Sequence, residues 1–157
     1  MKQEIQNALA KYQDVPGALL PILHEVQDAL GYVPPEAVGD IAKALNLSRA
    51  EVHGVITYYH HFRSESPGRH IVQVCRAEAC QAMGAQALFN HAEASLGCSS
   101  HGTTADGRVT LEPAYCLGLC ACSPAIMIDD VVYARITNAK FDALMGALPL
   151  TQAKVSS

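Results

Sequence analysis

The stretch RSESPGRHIVQVC, residues 63–75, is where the pattern of the chain changes. Its first half, RSESPG, is a polar turn that closes on Pro67 and Gly68. Its second half, HIVQVC, is short, rich in β-branched residues and ends in a cysteine. Pro-Gly punctuation before such a run reads as a linker followed by a strand. The reading predicts a boundary that separates residues 1–66 from residues 67–150, with 151–157 as a loose tail.

Upstream of the boundary the apolar residues recur at helical spacing. EIQNALAKY (4–12) places Ile5, Leu9 and Tyr12 on one face. PGALLPILHEVQDALG (16–31) carries Leu19, Leu23, Val26 and Leu30, with Pro16 near its start and Gly31 as a C-cap. Pro21 falls in the first turns, where its missing N–H costs little. PPEAVGDIAKALN (34–46) gives Val38, Ile41, Ala42 and Leu45. LSRAEVHGVITYY (47–59) opens with Ser48 and Glu51 at capping-box spacing, ahead of Val52, Val55, Ile56 and Tyr59. Four amphipathic helices with short joins predict a small bundle.

Downstream the period shortens. HIVQVC (70–75) predicts a strand, CQAMGAQALFNHAEASLG (80–97) a helix closed by Gly97, and RVTLEP (108–113) a second strand. AIMID (125–129) and VVYARI (131–136) predict two more strands about a turn at Asp129–Asp130. Residues 137–148 predict a closing helix with Thr137 as N-cap. The order β-α-β-β-β-α resembles that of a thioredoxin-like half-domain. The fold class is therefore α+β: an N-terminal four-helix bundle followed by a thioredoxin-like domain.

Composition excludes several classes. Half of the 157 residues are hydrophobic and 17% are charged, a globular balance. Net charge is −4 with no basic block, which argues against nucleic-acid or anionic-lipid binding. The longest apolar runs are too short to cross a bilayer, and the N-terminus lacks the apolar core of a signal peptide. The expectation is a cytoplasmic protein without membrane insertion. In a reducing compartment its cysteines read as metal ligands or catalytic groups before disulfides.

Those cysteines are 75, 80, 98, 116, 120 and 122. Cys75 and Cys80 form C-x4-C at the end of the predicted strand. Cys116 and Cys120 form C-x3-C within CLGLCACSP (116–124), and 35 residues separate the two pairs. The strand end and the later loop can share one edge, where four thiols converge. Four thiolates suit a tetrahedral zinc or a [2Fe–2S] rhombus, and the wide spacings favour the larger centre. Zinc and ordinary buried thiols stay open on spacing alone. A thiol oxidoreductase normally needs C-x-x-C, which is absent. Arg69 and His70 read as a solvated turn, Asp129 and Asp130 as a turn and not an acid/base dyad, and no catalytic residue stands out. There is no G-x-G-x-x-G after a strand, no P-loop and no flavin site.

Beyond these readings, the chain resembles a known family over residues 16–147. The residues that carry this are LLPILHEVQDALGYVPPEAVGDIAKALNLSRAEVHGVITYYHHF (19–62), PGRHIVQVC (67–75), the C-x4-C, EPAYCLGLC (112–120), Pro124 and AIMID. It looks like the thioredoxin-like [2Fe–2S] subunit shared by complex I, NAD-reducing hydrogenases and NAD-dependent formate dehydrogenases. The resemblance implies one [2Fe–2S] cluster on Cys75, Cys80, Cys116 and Cys120, with Cys122 a neighbour and Cys98 without a ligand counterpart. A negatively charged cluster of this kind is eased by backbone N–H groups: Gly118 lets the loop turn its amides inward, with an ordinary turn glycine as the alternative reading, and the N-terminus of the 80–97 helix points its dipole at the cluster. The implied partner is a subunit bearing FMN, an NAD(H) site and a [4Fe–4S] cluster. CRAEACQAMGAQAL (75–88) most resembles the gamma subunit of soluble molybdenum-containing formate dehydrogenases, which implies a molybdenum-bearing catalytic subunit as second partner. The equivalent subunit of complex I or of a hydrogenase is the alternative, and a zinc-stapled interaction module is the alternative from another class.

Overall fold

The computed structural model describes residues 1–149, so the predicted tail 151–157 lies outside the described residues. The chain divides into two compact units, Met1–Ser66 and a second that begins at Pro67. Among the described residues no helix is long and apolar enough to cross a membrane.

The first unit is all helical: α1 Lys2–Lys11, α2 Leu19–Leu30, α3 Ala37–Leu45 and α4 Arg49–Tyr58. Its core gathers the periodic residues, with Ile22, Leu23, Val26, Ile41 and Val52 fully buried. Helix α2 begins at Leu19 and not at Pro16, because residues 16–18 form a turn ahead of it. The capping box of α4 is complete. Ser48 Oγ accepts the Glu51 N–H at 3.2 Å, and the Glu51 carboxylate accepts the Ser48 N–H at 2.7 Å. Such a cap stabilises a helix by about 1 kcal/mol. Buried Gln27 locks the segment after α4: its amide donates to the His61 carbonyl at 2.7 Å and accepts the Arg63 N–H at 2.8 Å.

The second unit is a four-stranded sheet with helices. Its strands are β1 His70–Cys75, β2 Val109–Ala114, β3 Ile126–Ile128 and β4 Val131–Tyr133, in the order β2-β1-β3-β4. β1 and β2 are parallel, while β3 runs antiparallel to both β1 and β4. Val72, Val74, Phe89, Leu111, Ile126 and Phe141 form the core between the sheet and its helices.

Two expectations are corrected here. The predicted 80–97 helix is two helices, α5 Glu78–Ala82 and α6 Ala85–Leu96. The break falls at Gly84, whose φ of 89° is a left-handed value that glycine adopts without a Cβ penalty. The strand after Asp130 is also shorter than 131–136. The Arg135 and Ile136 N–H groups bond the Cys122 and Pro124 carbonyls, so the backbone turns back to the cysteine loop. Helix α7, Asn138–Ala147, then opens with Thr137 as its cap, accepting the Lys140 N–H.

His70 is a third correction. It is 2% exposed, not solvated. Antiparallel pairing of Val72 with Ile128 brings the β3–β4 turn beside the start of β1. There His70 Nδ1 lies 2.5 Å from Asp129 Oδ2, and Nε2 lies 2.8 Å from the Pro149 carbonyl. Only the imidazolium can donate to both acceptors. Burial opposes that charge, but the Asp129 carboxylate and the Pro149 carbonyl outweigh it and hold the His70 pKa above its ordinary value. The stability this supplies is complete below the ordinary histidine value and is lost as pH rises through the raised one. We predict that Asp129→Asn costs roughly 1.5–3 kcal/mol at acidic to neutral pH. The same change should flatten this part of the pH dependence in urea unfolding, leaving wild type and variant closer at high pH.

Candidate metal centre

The sheet topology gathers the cysteines. Because β1 and β2 are parallel, their C-terminal ends lie side by side, with Cys75 opposite Ala114. Cys116 follows two residues later. β3 runs the other way and so begins at the same end, with Val74 opposite Ile126. Just before it, residues Cys120–Cys122 form a single 3₁₀ turn. Helix α5 supplies Cys80 and packs beside that turn. Cys80 therefore lies inside a five-residue helix and not at the start of a long one, which corrects the expectation.

The thiols fall into two pairs. Cys116 Sγ and Cys120 Sγ are 3.6 Å apart and exposed. Cys75 and Cys80 are each 2% exposed and pack with Ala85, Ala125, Leu117 and Leu119. Burial pushes the Cys75 thiol up, but the N–H groups of Ala77, Cys116 and Leu117, with the Cys80 thiol, pull it below its usual value. Those amides are aimed by an unusual loop. Cys116 has a φ of 98° and Gly118 one of 79°. A left-handed cysteine costs about 1–3 kcal/mol, a strain typical of sites where backbone donors are turned toward a ligand. Ala77 is the N-cap of α5, so the amides that lower the Cys75 pKa come both from the start of that helix and from the loop at Cys116 and Leu117. Cys120 is pushed up by Cys116 first, and also by the charges of Cys80 and Cys75. Cys120 therefore feels the other three sulfurs.

Among the described residues no three His, Cys, Asp or Glu side chains close on one point, as a single metal ion requires. Two thiol pairs with amide donors suit a centre of two irons, each taking two thiolates. The donor set fits a [2Fe–2S] cluster on these grounds.

The remaining cysteines make other contacts. Cys98 packs at the edge of the sheet–helix core, where burial and Glu93 push its pKa up. Cys122 closes the 3₁₀ turn through its N–H to the Leu119 carbonyl, and its own carbonyl takes the Arg135 N–H. Ser123, which sequence reasoning missed, donates to the Cys120 carbonyl at 2.7 Å and sits 3.6 Å from Cys80 Sγ. No spacing rule singles out such a serine.

Comparison with known proteins agrees with this geometry. The thioredoxin-like [2Fe–2S] ferredoxin family matches residues 5–149. An NADH-quinone oxidoreductase subunit of Rhizobium meliloti is 34% identical over 145 residues, which is 92% of this chain and 86% of the relative. The corresponding NADH-quinone oxidoreductase subunit of Pseudomonas aeruginosa is 36% identical over 135 residues, 86% of this chain and 81% of the relative. Among solved structures, an NAD+-reducing [NiFe]-hydrogenase in its H2-reduced state superposes on 85% of this chain with a TM-score of 0.67 and 26% identity. This chain spans only 23% of that hydrogenase chain. Sequence, geometry and relatives agree: the chain belongs to the thioredoxin-like [2Fe–2S] ferredoxin family, with one [2Fe–2S] cluster as its cofactor.

Proposed function

We propose that this chain is the electron-transfer subunit of an NADH-oxidising assembly of the NADH-quinone oxidoreductase or NAD-reducing hydrogenase kind. Its partner is a flavin-bearing NAD(H) subunit. The observation that carries the reading is the convergence of Cys75, Cys80, Cys116 and Cys120 at one end of the sheet. We assign these four as the ligands, Cys75 with Cys80 on one iron and Cys116 with Cys120 on the other. When bound, the cluster takes up and releases one electron at a time. The chain excludes water from one half of the site with Ala85, Ala125 and the buried pair Cys75 and Cys80. It leaves the other half, Cys116 and Cys120, at the surface, where a partner can approach. NAD(H) moves hydride, two electrons at once, so a flavin must stand between it and this site.

The segment 75–88 favours a second reading, the gamma subunit of a molybdenum-containing NAD-dependent formate dehydrogenase. The relatives described above favour the first. The assembly purified through a tag on this chain separates them by its metals. Membrane subunits with neither nickel nor molybdenum mark the quinone-reducing kind, nickel the hydrogenase kind, and molybdenum the second reading. An assembly without flavin overturns all three.

A further inference from the structure

The two buried thiols of the site are supplied with donors in different ways. Cys75 receives backbone N–H groups, those of Ala77, Cys116 and Leu117. Cys80 is as deeply buried, and beside it lies a side chain, the Ser123 hydroxyl at 3.6 Å from Cys80 Sγ. The backbone around Ser123 is fixed on both sides. Ser123 follows the 3₁₀ turn Cys120–Cys122 with extended dihedrals, φ −65° and ψ 156°. The Cys122 carbonyl accepts the Arg135 N–H at 2.8 Å, and the Pro124 carbonyl accepts the Ile136 N–H at 3.0 Å. One residue further, the Ala125 carbonyl accepts the Cys75 N–H at 3.0 Å. So held, the Ser123 hydroxyl reaches both halves of the site: its Oγ also donates to the Cys120 carbonyl at 2.7 Å.

A serine hydroxyl has one proton to give. With Cys80 as a thiol the protons are all placed: the Cys80 S–H donates to Ser123 Oγ, and the Ser123 O–H donates to the Cys120 carbonyl. A cysteine that ligates iron has released its proton to solvent. The Cys80 sulfur is then an acceptor only, and an oxygen lone pair faces it. Rotation of the Ser123 hydroxyl about its Cβ–Oγ bond removes that conflict with little movement of heavy atoms. The bond so formed has a charged acceptor, which makes it stronger than the neutral bond it replaces. Burial favours it as well. Cys80 is shut off from water, whereas Cys120 is exposed and water can take over its carbonyl.

We propose that Ser123 is a positioning residue that sets the reduction potential of the site: its hydroxyl turns from the Cys120 carbonyl to the Cys80 thiolate and stabilises the reduced state. The proposal rests on the ligand assignment made above. An added electron raises the negative charge on the sulfurs, so a donor aimed at one of them favours reduction. The hydroxyl keeps its proton throughout, and the electron comes from the titrant. The test is a dithionite titration of the whole chain, purified without oxygen and followed by EPR. Ser123→Ala should lower the equilibrium constant of the one-electron step about three- to tenfold, a potential about 28 to 59 mV more negative. Ser123→Thr keeps the hydroxyl and should stay at the wild-type potential. Ser123→Val has the shape of threonine without the hydroxyl and should follow Ser123→Ala. Both β-branched residues suit the extended backbone that precedes Pro124. In resonance Raman spectra, exchange into D2O should shift the iron–thiolate bands more in the wild type than in Ser123→Ala. A Ser123→Ala chain with the wild-type potential overturns the proposal and leaves the ligand assignment standing. An equal fall in Ser123→Thr and Ser123→Val overturns it too, because the effect is then one of packing. If the variants without a hydroxyl take up no iron while Ser123→Thr does, Ser123 is a cap of the 3₁₀ turn and its role in the potential falls. A wild-type chain without iron overturns the ligand assignment, and the proposal with it.

Discussion

Cys75→Ser should leave the protein without its iron–sulfur absorption, and Cys80→Ser should do the same. Both positions are 2% exposed. A serine there must lose its proton in a buried site to replace a thiolate, and burial opposes that charge. Cys116→Ser and Cys120→Ser should be milder, because both positions are exposed and solvent can stabilise an oxygen ligand. Their clusters should be bleached in part, less stable, and altered in spectrum. Cys98→Ser and Cys122→Ser should keep the spectrum of the wild type. Visible absorption of anaerobically purified variants checks the whole set. Loss of the cluster in Cys122→Ser together with its retention in Cys120→Ser would show that the ligand loop has been misassigned.

The second large effect concerns electron count. The purified chain alone should accept single electrons from dithionite, yet show no detectable exchange with NADH or NAD+. Hydride delivers its two electrons together, and a one-electron centre cannot accept them without a flavin to divide the pair. Adding the flavin-bearing subunit should let NADH reduce the cluster. That reduction should be incomplete, since four-thiolate clusters lie at low potential, roughly −400 mV in plant-type ferredoxins. Stopped-flow bleaching of the visible bands with NADH, with and without the partner, checks this. Rapid reduction of the isolated chain by NADH would overturn it.

Much of this was legible in the sequence, and the reasons are physical. The helices of the first unit announce themselves by apolar spacing, and Ser48 with Glu51 marks the start of α4 because a capping box is a local device. The four cysteines were legible as two pairs because each pair is close in sequence, and parallel strands then bring the pairs to one end. The break at Gly84 was not legible. A glycine inside a helical pattern is usually tolerated, and only its left-handed φ shows the chain dividing there. His70 was misread because its partners, Asp129 and Pro149, lie 59 and 79 residues away. The inward amides of Cys116 and Leu117 depend on a positive φ at a cysteine, which no propensity foretells. Which larger assembly the chain serves depends on contacts with other subunits, and these leave only a weak mark on residues such as 75–88.

Cys75, Cys80, Cys116 and Cys120 are proposed to hold one two-iron cluster, and everything said of electron transfer depends on that assignment. Its most direct test is the iron, zinc and acid-labile sulfide content of the chain purified without oxygen, read together with its EPR spectrum after dithionite reduction. We predict about two irons and two sulfides per chain, no stoichiometric zinc, and a signal from one unpaired electron. One zinc per chain, with no iron, no sulfide and no signal, would contradict the assignment and leave a zinc-stapled interaction module in its place.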